Sequence, residues 1–375
     1  MILPPANLGM LGGGQLGRFF VVAAHEMGYR VTVLDPDPHS PAGRLADVHL
    51  IAPFDDPDAL NRIAETCAAV STEFENVPAA ALDYIAKFMP VHPAARCVAT
   101  AQNRIVEKAF LAQNGFDVGP YTVVRSPEDI DGADAALLPA VLKVSRFGYD
   151  GKGQARVSNA AEAKVAFHGF KDEPCVMEKL LPLDCEISCV VARSESGELA
   201  YFPVAENRHR HGILDVSIVP ARVSAELRTQ AEQMAARIAA KLGYVGVMGV
   251  EFFVSDGRLL VNEIAPRPHN SGHYTLDACY ASQFEQQVRA LCGLPLADSR
   301  AYCAAVMVNL LGDLWPGPDP DWSSLLADPA VKLHLYGKHH ARPGRKMGHF
   351  TVIGSDAQRV LDAALIARRR IGVVD

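Results

Sequence analysis

The chain has 375 residues and a net charge of −7, with hydrophobic residues at 49% and charged residues at 21%; that balance excludes a disordered or fibrous chain. A pI near 6.0 argues against bulk binding to nucleic acid or an anionic membrane, so any anionic substrate must be caught by a local cluster of cations. No apolar run approaches the ~18–20 residues of a membrane span, the start Met1-Ile2-Leu3-Pro4-Pro5 lacks a signal-peptide pattern, and eight cysteines without a CxxC pair predict reduced thiols in a cytoplasmic protein.

At ~150 residues per domain the length allows two or three domains. Residues 1–98 alternate short apolar runs with helical spacing: strands at 8–11, 30–34 and 69–73, and a helix over 15–27 closed by Gly28. Such alternation predicts a parallel, doubly wound sheet. Gly12-Gly13-Gly14-Gln15-Leu16-Gly17 follows the first strand and opens the helix, and Asp35 ends the next strand, where a ribose-binding acid sits in a dinucleotide fold. The turn reads either as backbone amides approaching an anion or as a tight connection with no ligand.

A second domain is placed at 99–297, with a helix over 103–113, strands at 140–144, 154–157, 175–179, 186–192 and 200–204, a helix over 225–242 and a hairpin over 247–264. Gly148-Tyr149-Asp150-Gly151-Lys152-Gly153-Gln154 lies between two of the strands. Three glycines and a lysine suit a flap over phosphates, with Lys143 just upstream; an ordinary Asp-Gly hairpin turn is the other reading. Glu251 and Glu263 sit on the hairpin. With a three-residue turn, Glu251 faces Val261 and Glu263 falls diagonal to it on the same face, ~7–8 Å away, where two carboxylates can share magnesium. A two-residue turn would send them to opposite faces. They could also be two solvated glutamates, but Phe252, Phe253, Leu260 and Ile264 beside them indicate a covered sheet, where like charges need a cation. Arg267-Pro268-His269-Asn270-Ser271-Gly272-His273 then supplies many donors and an arginine suited to a transferring phosphoryl group.

The remaining residues, 298–375, hold strands near 304–310 and 332–336, a helix over 356–370, and the basic loop Lys338-His339-His340-Ala341-Arg342-Pro343-Gly344-Arg345-Lys346. That loop is a phosphate-catching patch or a solvated charged loop.

Read together, these motifs resemble the ATP-grasp superfamily and, within it, the N5-carboxyaminoimidazole ribonucleotide synthetases of purine biosynthesis. The resemblance rests on STEFENV (71–77), GYDGKGQ (148–154), YVGVMGV (244–250), NEIAPRPHNSGH (262–273) and YGKHHARPGRKMGH (336–349). It implies an α/β fold: a Rossmann-like N-terminal domain, a two-lobed ATP-grasp domain and a small β-rich C-terminal domain. It implies an ATP-dependent ligase that carboxylates aminoimidazole ribonucleotide with bicarbonate through carboxyphosphate. ATP would contact Arg104, Lys143, the glycine loop, Glu178-Lys179-Leu180-Leu181, Glu186, His209, Asn262 and Glu263. Mg2+ would sit on Glu251 and Glu263, although Ala265 stands where many members carry a third ligand, Asn. Lys143, Arg267 and Asp150 would serve the reacting groups. The ribonucleotide would meet Gln15, Glu75, Arg267, Asn270 and Ser271, its phosphate gripped by Lys338 and Arg345. A homodimer is also implied. The competing readings are a formate-dependent glycinamide ribonucleotide transformylase, a nicotinamide oxidoreductase built on Gly12–Gly17, and an inactive nucleotide-binding module.

Overall fold

The computed structural model describes residues 1–146, 148, 151–317 and 319–373. Its first sheet is parallel: β1 (Asn7–Leu11), β2 (Arg30–Leu34), β3 (Val48–Leu50) and β4 (Ala69–Thr72), in the order β3-β2-β1-β4. Helices cover both faces, which is why β1 and β2 read as nearly continuous apolar runs; Leu8, Phe20, Val31 and Val33 are buried among them. The short edge strand β3 was not expected. Three half-exposed residues with a histidine in the middle give too little period to read.

The second sheet is antiparallel: β5 (Tyr121–Val124), β6 (Ala140–Val144), β7 (Gln154–Val157) and β8 (Cys175–Lys179), ordered β5-β8-β6-β7. Helices Pro127–Asp131 and Ala160–Gly169 pack on it, burying Val124, Leu142, Phe167 and Met177.

The third sheet holds β9 (Cys185–Arg193), β10 (Leu199–Tyr201), β11 (Ala205–Arg210), β12 (Ile213–Val219), β13 (Gly246–Ser255), β14 (Arg258–Ala265), β15 (Ala304–Leu311), β16 (Val331–Leu335) and β17 (Lys346–Gly354). Its order is β14-β13-β9-β11-β12-β15-β17-β16, with β10 beside β9. The helix Ala225–Leu242 lies against it, opened by the Ser224 hydroxyl and closed by left-handed Gly243, as its sequence signals require. Three of these strands carry no sequence expectation. β11 reads Ala-Glu-Asn-Arg-His-Arg and looks like a loop, and β17 begins inside the basic segment. The C-terminal strands join the third sheet at its β12 edge. β15 pairs with β12, Val216 opposite Val308, so they extend the sheet of the central domain. Buried apolar side chains on β12 supply that edge with a partner surface.

Candidate functional site

The hairpin β13–β14 decides where the acids point. Its turn is Asp256-Gly257, both at positive φ (50° and 69°), and Ser255 pairs with Arg258. The turn therefore has two residues, the second of the two alternatives, because an Asp-Gly pair at positive φ fits the strand twist. Without further change this register would place Glu251 opposite Asn262 and turn Glu263 to the other face. The ladder shifts instead: Phe252 pairs with Val261, but Glu251 pairs with Glu263, leaving Asn262 as the extra residue of a β-bulge. The two carboxylates end directly opposed on one face, closer than the diagonal expected.

Each has a cationic or donor partner. Glu263 Oε2 accepts from Arg104 Nη1 at 2.9 Å. Glu251 Oε1 lies 3.2 Å from His269 Nε2, and its Oε2 accepts from Asn262 Nδ2 at 3.3 Å. Burial alone would raise Glu251, but His269 outweighs it and holds the carboxyl down at about 2. His269 Nδ1 is in turn fixed by Ser271 Oγ at 2.8 Å, and that hydroxyl lies 2.7 Å from Ser188 Oγ. Ser271, expected to meet the ribonucleotide, is fully buried and spent on orienting His269. Asn270 is buried with both side-chain polar atoms unpartnered.

The facing wall comes from the second sheet. Lys143 on β6 and Lys108 on helix Arg104–Gln113 both reach Glu178 on β8, at 3.0 and 3.1 Å. Burial opposes the charge on Glu178, yet the two ammonium groups bring it to about 2. Lys108 also donates to the Asn262 carbonyl at 3.0 Å, so one buried lysine ties the small sheet to the hairpin. Arg104 donates to Glu263 and, at 3.3 Å, to the carbonyl of Gly148 at the start of the glycine loop. Its guanidinium is buried, which lowers its proton affinity, but Glu263 reverses that. His209 Nδ1 stands 3.1 Å from Glu186 Oε2. Arg104, Lys143, Gly148, Glu178, Asn262 and Glu263 thus form one connected cluster, with Glu186 and His209 paired nearby on the large sheet. Tyr149 and Asp150 lie outside the described residues. Gly151 packs against the His211–Gly212 turn, 2.7 Å from the His211 carbonyl for an added Cβ, so the glycine loop touches the large sheet. Lys152 follows it, Gly153 carries the carbonyl that accepts from Val144, and Gln154 pairs with Lys143 across β6–β7. Lys179 and Leu180 hydrogen-bond through their amides to Pro120 and Pro139, at the exit of β8 before Leu181.

The N-terminal glycine turn is occupied by the protein's own acids. Gly13 N–H donates to Asp35 Oδ2 at 2.6 Å, Gly14 N–H to Glu73 Oε1, and Gly17 N–H to Glu73 Oε2 at 2.7 Å. Glu73 is buried, which pushes it up, against those amides. A Cβ at Gly14 would collide with its carboxylate, which is the physical reason for glycine there. Asp35 therefore caps the turn, contrary to a ribose-binding role. Beside it, Arg267 donates through Nε to Glu75 Oε2 at 2.6 Å and through Nη2 to Oε1 at 3.3 Å, and Glu75, despite burial, is held at about 2. Lys338 Nζ donates to Gln15 Oε1 and to the Lys346 carbonyl at 2.7 Å, joining first and last motifs across some three hundred residues of chain. Arg345 Nη1 donates to the His340 carbonyl at 2.7 Å.

Sequence reasoning missed Glu73, Glu107, Lys108 and the role of His269. Arg104, Glu107, Lys108 and Leu111 share one helical face, a signal that reads as solvated charge until it is found buried. Glu107 accepts from Ile264 N at 2.5 Å, and burial together with Glu263 pushes it up to about 8.

Two antiparallel lobes that hold lysines on one wall and opposed glutamates on the other define an ATP-grasp protein. The ATP-grasp domain model matches residues 109–284, the ribonucleotide synthetase preATP-grasp domain residues 6–102, and the phosphoribosylaminoimidazole carboxylase C-terminal domain residues 305–363. The N5-carboxyaminoimidazole ribonucleotide synthase of Bacillus subtilis (strain 168) is 43% identical over 353 residues, 94% of this chain and 92% of that protein. A crystal structure of an N5-carboxyaminoimidazole ribonucleotide synthetase in complex with ADP superposes with a TM-score of 0.92 at 40% identity, covering 98% of this chain and 97% of the other. The Aspergillus clavatus N5-carboxyaminoimidazole synthase, solved with ADP and 5-aminoimidazole ribonucleotide, gives 0.90 at 30% identity, covering 98% of each chain. The chain belongs to the N5-carboxyaminoimidazole ribonucleotide synthase family.

Proposed function

We propose that this chain uses ATP to carboxylate 5-aminoimidazole ribonucleotide with bicarbonate, releasing ADP and phosphate. The observation that carries the reading is the bulge that sets Glu251 opposite Glu263 within reach of Arg104, facing a lysine-lined wall. Bicarbonate is a poor electrophile because its leaving group is hydroxide. A bicarbonate oxygen attacks the γ-phosphorus, the bond to ADP breaks, and carboxyphosphate forms. The exocyclic amine then attacks its carboxyl carbon, the bond to phosphate breaks, and the nitrogen loses one proton. No protein nucleophile enters; positioning and charge neutralisation carry the catalysis.

Lys143 exchanges its bond to Glu178 for the transferred phosphoryl group, while Lys108 keeps Glu178 ionised. Arg104 couples the glycine loop to Glu263, so loop closure and assembly of the phosphate end occur together. Glu251 and Glu263 would hold Mg2+: the two carboxylates, opposed on neighbouring strands, are the hard oxygen donors this cation takes, with Arg104 and His269 beside them. When bound, Mg2+ neutralises charge on the triphosphate. The ribonucleotide binds beside Gln15 and the Glu75–Arg267 pair, its phosphate gripped by Lys338 and Arg345. The division 1–98, 99–297 and 298–375 follows the same reading, each unit giving one part of the site.

An ADP-release assay tests it. Turnover should require bicarbonate together with aminoimidazole ribonucleotide for full rate, and consume one ATP per carboxylated product. Equal turnover with formate replacing bicarbonate, or none with either, would overturn the assignment.

A further inference from the structure

A second cluster of ligating side chains lies where the central domain meets the C-terminal strands. The register of β16 and β17 places His334 directly opposite His349, and their rings stack at 4.6 Å and 20°. Cross-strand partners point to the same side of a sheet. Asp277, from the helix Thr275–Ala278, holds His334 Nε2 with both carboxylate oxygens, at 2.9 and 3.1 Å. One donor atom from each of these three residues falls within 4.8 Å of the others. None of them enters the reaction described above.

His349 is the telling member. It is fully buried, its Nδ1 is bonded to Tyr336 Oη at 2.9 Å, and its Nε2 has no hydrogen-bond partner. A buried polar atom left unpaired costs stability unless something binds it. The Tyr336 hydroxyl holds the ring in place through Nδ1, as outer partners of metal-bound histidines do.

From this juxtaposition we infer a binding site for a borderline-soft divalent cation such as Zn2+, held by Asp277, His334 and His349 and completed by water. Two imidazoles and one carboxylate suit Zn2+ or Co2+ and are too nitrogen-rich for Mg2+. The His334 side chain is 25% exposed and that of Asp277 10%, so the ion and its water reach the site from the His334 side. Ligand atoms around a tetrahedral zinc stand ~3.3 Å apart, given bonds near ~2.0 Å, so binding draws His349 toward a pair that is already formed. The ion pins Asp277, within the ATP-grasp segment, to two strands of the C-terminal unit. Phe19 of the first helix packs 6.0 Å from both rings, so all three parts of the chain meet here.

The test is titration of the chelator-treated full chain with Co2+ alone, followed by displacement with Zn2+. One Co2+ per chain is expected, with the intense visible bands of a low-coordinate nitrogen–oxygen site. Asp277→Asn and His334→Ala should each weaken it at least tenfold, while Glu251→Gln and Glu263→Gln leave it intact. Only weak octahedral bands in the native chain, or binding lost in the Glu251 and Glu263 variants and retained in the other two, would overturn the site. If His334→Ala does not fold, the native spectrum and the Asp277→Asn variant decide the matter.

Discussion

Glu263 and Glu107 differ in purpose though they lie close together. Glu263 faces Arg104 and its opposed partner Glu251, so Glu263→Gln should leave folding unchanged and lower ATP turnover roughly a hundredfold or more, as loss of one preorganised charge does. Steady-state ADP release beside a thermal melt checks this. Glu107 is a buried carboxyl raised to about 8. A raised acid binds its proton more tightly when folded, so its contribution is harmless below ~4.3, its unfolded value, and the cost grows as pH rises toward 8. Glu107→Gln should therefore match the native chain at pH ~4 and exceed its stability by a margin that widens up to pH 8, measured by denaturant unfolding at both values. Glu178 and Glu251, held at about 2, work the other way. They stabilise above the unfolded carboxylate value, and that contribution is lost as pH falls from ~4.3 toward 2.

At the scale of elements, the hairpin shows how a turn and a bulge share one task. Asp256-Gly257 fixes the register at one end, and Asn262 corrects it so that both acids reach the same face. Gly257 has φ 69° with nothing within 4 Å of an added Cβ, so Gly257→Val meets backbone strain alone. It should cost ~1–2 kcal/mol in chemical denaturation, with the binding of ATP weakened wherever the register slips. The strand pattern and the Asp-Gly turn were legible because both are local. The bulge was not: nothing in Val261-Asn262-Glu263 announces an unpaired residue, and it is held in place by contacts from elsewhere, the Lys108 bond to the Asn262 carbonyl and the Glu107 bond to Ile264 N.

At the scale of the molecule, the site is assembled from both ends of the chain. Lys338 meets Gln15 across the junction of the N-terminal and C-terminal units. Lys338→Ala should raise the KM for the ribonucleotide by roughly ten- to a hundredfold, the worth of one charge-assisted hydrogen bond, and leave the KM for ATP unchanged; initial-rate measurements with each substrate varied in turn check it. A comparable rise in the KM for ATP would place the basic loop at the nucleotide instead. The same long-range assembly explains the N-terminal glycine turn. Its spacing says only that an acceptor sits at the amides, and the carboxyl of Glu73, distant in sequence, is that acceptor.

The sequence by itself determined the alternation of strands and helices, the glycine loop beside Lys143, the acid-bearing hairpin and the basic loop, because periodicity, turn chemistry and residue type act over a few neighbouring positions. Only the tertiary structure decided that Glu251 faces Glu263, that Lys108 joins two lobes, that the C-terminal strands continue the central sheet and that Glu73 fills the glycine turn. Those outcomes depend on which distant surfaces exclude water from one another, and burial turns a charge that would be solvated in isolation into one that must find its partner.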